Sequence, residues 1–185
     1  MLMAHGTGHG LRPLYAYAVF AALSGCGGDG APTADEQRAA CIEFAESGLA
    51  FDGGTRAQVI EAWGQPDLMH TIVQAAAFES APGLVAEDSI FRMHYSGAVV
   101  SLHKPAGGAE LIDEVRVQYD HYLRLPEPII GMKANDVMAL YGEPAQRTAD
   151  QLVYICHSVP ARDDPVAFNV VDGEVREVVF TYHMD

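Results

Sequence analysis

Positive charge is what this sequence has least of. Eleven Lys and Arg stand against 25 Asp and Glu, a formal net charge of −14, and the cations are scattered singly along the chain. A surface that tracks phosphates or anionic headgroups needs clustered cations, so the composition argues against nucleic-acid binding and against electrostatic adhesion to a membrane. Long apolar runs are also missing. The stretch Leu14–Leu23 is ten residues long, about half of the ~20 that a membrane-spanning helix requires. There are only three Cys and one Trp. The histidines beyond the N-terminal segment, His70, His94, His103, His121, His157 and His183, show no His-x-x-x-His or Glu-x-x-His spacing of the kind that metal sites use. Cys156 and His157 are neighbours that point to opposite faces if the segment is a strand, and Asp163-Asp164 before Pro165 reads as a solvated loop. No catalytic residue, metal site or cofactor is therefore assigned, and the chain reads as a non-enzyme. With 49% hydrophobic and 19% charged residues it nevertheless has the composition of a folded globular protein.

The N-terminal 25 residues read as an export signal: a thin basic start with Arg12, the short apolar run, and then Leu23-Ser24-Gly25-Cys26. That last tetrapeptide resembles a bacterial lipobox, which implies that Cys26 becomes the lipidated first residue of the mature chain. Residues 26–33, rich in Gly, form a flexible tether. Gly27 rather than Asp follows Cys26, which by analogy with Gram-negative lipoproteins favours the periplasmic face of the outer membrane.

Beyond the tether the chain repeats. Gly53-Gly54-Thr55-Arg56-Ala57-Gln58-Val59-Ile60-Glu61-Ala62-Trp63-Gly64-Gln65-Pro66 aligns without gaps on Gly131 to Pro144, 78 residues on, sharing Gly53/Gly131, Val59/Val137, Trp63/Tyr141, Gly64/Gly142 and Pro66/Pro144. Each copy opens with Gly, carries a short amphipathic helix, and stops at Gly-x-Pro. Thr55 with Gln58 reads as a capping box, as does Thr33 with Glu36 ahead of a helix that stops at Gly48. Glu114–Tyr119 aligns on Glu177–Tyr182 at a spacing of 63, each with alternating apolar residues that predict a strand with one buried face. Between helix and closing strand there is room for two more strands, about 68–79 and 90–103 in the first copy and about 146–158 and 165–171 in the second. The expected fold is thus α+β, with two tandem units of a helix plus a three-stranded antiparallel sheet, the first over 34–122 and the second over 129–185, joined by a Pro-rich linker at 123–128.

The Gly-x-Thr-x-x-x-Val run followed by an aromatic and Gly-x-Pro resembles the helix signature of the BamE/SmpA/OmlA lipoprotein family, and its tandem use is similar to the β-lactamase inhibitory protein. Lys133 departs from the pattern where Thr is expected. The resemblance implies helices on one face of an antiparallel sheet and a role in binding another envelope protein, with the outer-membrane β-barrel assembly machine as the implied partner. An enzyme-inhibitor-like binding protein is the alternative, and an uncharacterised envelope hydrolase a third.

Within this frame Trp63 and Tyr141 are read as anchors of each helix on its sheet rather than as ligand-binding aromatics, because they share a helical face with Val59 and Val137. Tyr119 and Tyr182, at equivalent places, are candidate interface residues if they lie on the sheet face away from the helices. The segment around Ala75–Phe78 and Ala81–Asp88 is a candidate contact loop. Cys41 and Cys156 remain after Cys26, an even number, and either pair as a disulfide or stay as two buried thiols.

Overall fold

A computed structural model describes residues 31–51, 54–75, 87–125, 127–157 and 164–182. The signal segment, Cys26, Gly53, the centre of the candidate contact loop and His183 lie outside the described residues. Among the described residues three α-helices form where the caps and the Gly-x-Pro stops predict them. Helix α1 (Ala34–Ser47) and helix α2 (Arg56–Trp63) each begin with a capping box, Thr33 with Glu36 and Thr55 with Gln58, while helix α3 (Ala134–Tyr141) follows Lys133 with no side-chain cap. Gly64 and Gly142 close α2 and α3 at φ of 83° and 80°, a positive-φ conformation that glycine adopts at little cost and residues with a Cβ do not. No helix of the described residues is long and apolar enough to cross a membrane.

The described residues also hold eight strands, in chain order β1 (Leu68–Ala75), β2 (Glu87–Tyr95), β3 (Ala98–Lys104), β4 (Leu111–Val117), β5 (Gln146–Arg147), β6 (Gln151–Tyr154), β7 (Val166–Val171) and β8 (Glu174–Thr181). They form one antiparallel sheet in the order β1-β2-β3-β4-β8-β7-β6-β5. This overturns the expected α+β arrangement of two helix plus three-stranded units: the sheet is continuous, and each half of it has four strands. Two hairpins account for the difference. The stretch 90–103 folds back at Ser96-Gly97, where Gly97 has φ 81° and a Cβ would come within 2.2 Å of the Tyr119 ring. The stretch 146–158 turns after two residues at Thr148–Asp150, where the Thr148 hydroxyl donates to Asp150 Oδ1 at 2.7 Å.

The repeat is nevertheless written into the register. Arg116 pairs with Val179, 63 residues on, which is its own equivalent in the closing-strand alignment. A local two-fold axis therefore passes between these two residues and relates the halves. The register shifts at matching places: Asp113 is the extra residue in β4 opposite Ser101 and Leu102, and Arg176 the extra residue in β8 opposite Asn169 and Val170. A single hydrophobic core serves both halves. Phe44 of α1 stacks with Tyr141 at 5.3 Å and Phe168 at 5.5 Å, and meets Phe180 at 5.3 Å. Trp63 sits in the matching place of the first half, 5.1 Å from Phe51, 5.6 Å from Tyr95 and 4.6 Å from Tyr122. Both are anchors. The segment after β4 is held down as well: Asp120, in a 3-10 turn (Asp120–Tyr122), accepts through one carboxylate oxygen from Ile129 N at 2.7 Å and Ile130 N at 3.0 Å.

The ends of α2 and α3 are each tied to the sheet by a phenol. Tyr95 Oη donates to the Gly64 carbonyl at 3.2 Å, and Tyr154 Oη to the Gly142 carbonyl at 2.9 Å. Burial pushes both phenols up to about 12, with the neighbouring Tyr122 adding to the effect at Tyr95 and Glu143 at Tyr154. Burial raises Tyr141 further. An unfolded chain releases these protons near pH 10, whereas the folded chain keeps them. The stability that the protonated phenols contribute is therefore whole below about pH 10 and drains away as pH rises toward about 12. Tyrosinate absorbance of the folded protein is expected to rise in a late step absent from the urea-unfolded chain, with the urea midpoint falling over the same window. Superimposable titrations of the two states would refute this.

Candidate functional site

Strand alternation sorts the sheet into two faces. Met93, Val100, Leu102, Val115, Val117, Phe168, Val178 and Phe180 point to the helices and are buried. The residues between them point to the other face, on which no helix of the described residues lies, and there the two halves differ.

In the second half the open face is closed by a polar ladder. Gln151 Nε2 donates to Asn169 Oδ1 at 2.9 Å, Asn169 Nδ2 donates to Glu177 Oε2 at 2.7 Å, and Gln118 Nε2 donates to Glu177 Oε1 at 3.2 Å. Arg116 continues it, 3.9 Å from Glu177 and donating to Glu114 at 2.7 Å. The Glu114 hydrogen bond is the main reason that the Arg116 guanidinium holds its proton more tightly than usual. These groups satisfy one another across β6, β7, β8 and β4, and such a ladder offers a ligand little unspent hydrogen bonding.

The first half is different. Leu68, Ile72 and Leu111 stand on the open face at 53%, 40% and 43% exposure. Register places Leu68 beside His94, Ile72 beside Ile90, and Leu111 beside His103. Between them lie His70 and His94, whose rings are 5.3 Å apart, and His103, 3.4 Å from Asp88. An apolar surface interleaved with imidazoles and one arginine, Arg92, is of the composition that protein interfaces use at their centres.

Other sequence candidates take structural places. Thr55, Gly64 and Gly142 set helix ends, Gly131 turns the chain at φ 92° ahead of the Lys133 cap, Val59 and Val137 are fully buried, and Pro66 and Pro144 follow the helix stops. Cys41 and Cys156 form a disulfide, with Cα atoms 5.6 Å apart, that ties α1 to the end of β6. Tyr119 and Tyr182 do not make the paired platform foreseen for them. Tyr119 lies 53% exposed over Gly97 and stacks on His121, whereas Tyr182 packs against the core at the far end of the β4·β8 ladder. His157 is buried, with Nε2 2.7 Å from the Asp164 carbonyl. Among the described residues no group of three or more His, Cys, Asp or Glu could hold a metal ion. An open cavity of about 410 Å³ lies between the start of α3 and the β5–β6 turn, lined by Lys133, Asn135, Arg147, Thr148 and Gly173 among others.

The exposed residues of β1 escaped the sequence reading, although Leu68 to Ala75 carries a signal of its own: eight residues without one charge. The polar ladder had no local signal, because Gln118, Gln151, Asn169 and Glu177 meet only through strand pairing. No protein-family model, curated protein or solved structure matches this chain.

Proposed function

We propose that this is a lipid-anchored envelope protein that binds another protein through the open sheet face of its first four strands, with Cys26 as the acylated anchor. The observation that carries the reading is the exposure of Leu68, Ile72 and Leu111 on a face that no helix of the described residues covers. The second half gives much of this face to its polar ladder and leaves Val171 as an exposed apolar residue there, whereas the first half exposes three on adjoining strands. The charge of −14 works in the same direction: it keeps the domain off an anionic bilayer and steers it toward a partner with basic rim residues. The helix signature that resembles the BamE/SmpA/OmlA lipoproteins makes the β-barrel assembly machine the first partner to test.

The test compares the full chain with Leu111→Glu and Leu68→Glu in pull-downs from envelope extracts. Recovery of barrel-assembly components by the unsubstituted chain, reduced about tenfold or more by either glutamate, supports the reading. Equal recovery by all three chains, or none by any, overturns it. Acyl labelling that is abolished by Cys26→Ala tests the anchor separately, and labelling that survives the substitution removes it from the proposal.

A further inference from the structure

The two ends of the sheet are finished in opposite ways. At one end β5 has only two residues, Gln146 and Arg147, both polar and exposed. A short charged edge is a standard defence against unwanted strand pairing. At the other end β1 pairs with β2 through all eight of its residues, and its outward backbone groups have no partner among the described residues. It carries no Lys, Arg, Asp, Glu or Pro. Its side chains are exposed on both faces: Leu68 and Ile72 at 53% and 40% on the open side, and Met69 and Val73 at 47% and 56% on the helix side, where they run beyond the helices. A long, uncharged, apolar edge is a template for another strand.

We infer that the strand it takes is β1 of a second copy, paired antiparallel across a two-fold axis so that one sheet runs through both chains. Three observations favour this occupant. An uncharged strand meets its own copy without placing like charges opposite one another. The chain already joins its two halves in this manner, because β4 and β8 are equivalent strands paired antiparallel around a local two-fold. That internal joint uses four residue pairs, and β1 offers eight positions. Pairing of this length buries on the order of 1,000 Å², the lower limit for a specific interface, so association is reversible and concentration-dependent. It works against the repulsion between two chains of charge −14, so salt that screens the charges strengthens the dimer instead of weakening it. Leu68 and Ile72 belong to both surfaces, so the test uses the strand's helix-side residues Met69 and Val73, which the partner-binding reading does not involve, and its failure leaves that reading standing.

Sedimentation velocity of the full chain in detergent micelles tests it. The unsubstituted chain is expected to shift from monomer toward dimer as concentration and salt rise. Met69→Lys/Val73→Lys places lysines opposite lysines and is expected to weaken the dimer by about tenfold or more, as is Met69→Glu/Val73→Glu. Mixing the two variants restores association, an outcome that misfolded chains would not produce. Val171→Lys, at a site of 53% exposure away from the edge, leaves the dimer unchanged. A chain that stays monomeric throughout, a dimer indifferent to the paired substitutions, or a mixture that fails to associate overturns the inference.

Discussion

Phe44→Ala is expected to lower the unfolding free energy by about 3 to 5 kcal/mol, read as a fall in the urea midpoint with no change in slope. The ring is 4% exposed and lies within 5.5 Å, centroid to centroid, of Tyr141, Phe168 and Phe180. It is the point at which α1, α3 and two strands converge. Truncation removes the aromatic contacts and leaves a cavity that the sheet cannot collapse to fill, since Phe168 and Phe180 are fixed by their own strand pairing. Phe44→Leu keeps most of the volume and is expected to cost less than half as much. A loss below about 1 kcal/mol for alanine would show that α1 is not held through this ring.

Removing the Cys41–Cys156 disulfide is expected to have an effect of similar size. The bond links residues 115 apart, for which the loop-entropy account gives on the order of 4 to 5 kcal/mol. Cys41→Ala/Cys156→Ala is therefore expected to unfold at markedly lower urea than the oxidised chain, and reductant to shift the parent protein but not the variant. On gels the oxidised chain runs faster than the reduced one, and the difference vanishes in the variant. Identical midpoints with and without reductant would show that the link contributes nothing to stability. The effects of Phe44 and of the disulfide are not expected to add, because Cys41 and Phe44 lie on one helix and hold the same surface down.

The helices were legible because their signals are local. Thr33-x-x-Glu36, Thr55-x-x-Gln58 and the two Gly-x-Pro stops each lie within a few residues, and all appear where the spacing puts them. The strand count was not. Apolar residues recur from Ile90 to His103 with too little interruption for Ser96-Gly97 to stand out, yet the turn forms there because Gly97 alone lets Tyr119 lie against the hairpin. The single sheet was hidden for another reason. Joining β4 to β8 is a pairing between distant residues that alternation within either strand cannot announce. β1 carries no alternation to read, since its apolar residues come in adjacent pairs, Leu68-Met69 and Ile72-Val73, and all four stay exposed. The even cysteine count permitted the disulfide without deciding it, and only the packing of α1 near the end of β6 brings the thiols together.

The order of the strands sets a schedule for folding. β4, in the middle of the sheet, takes as its neighbour the last strand of the chain. The first four strands can pair among themselves as they emerge, but β4 keeps an open edge until Glu174–Thr181 arrives. Closure of the centre is thus the slow, non-local step, and it waits for the C-terminal end of the chain. A chain interrupted before residue 174 would have bare strands on both flanks of its first half, β1 and β4, and would be far more prone to aggregate than its length alone suggests.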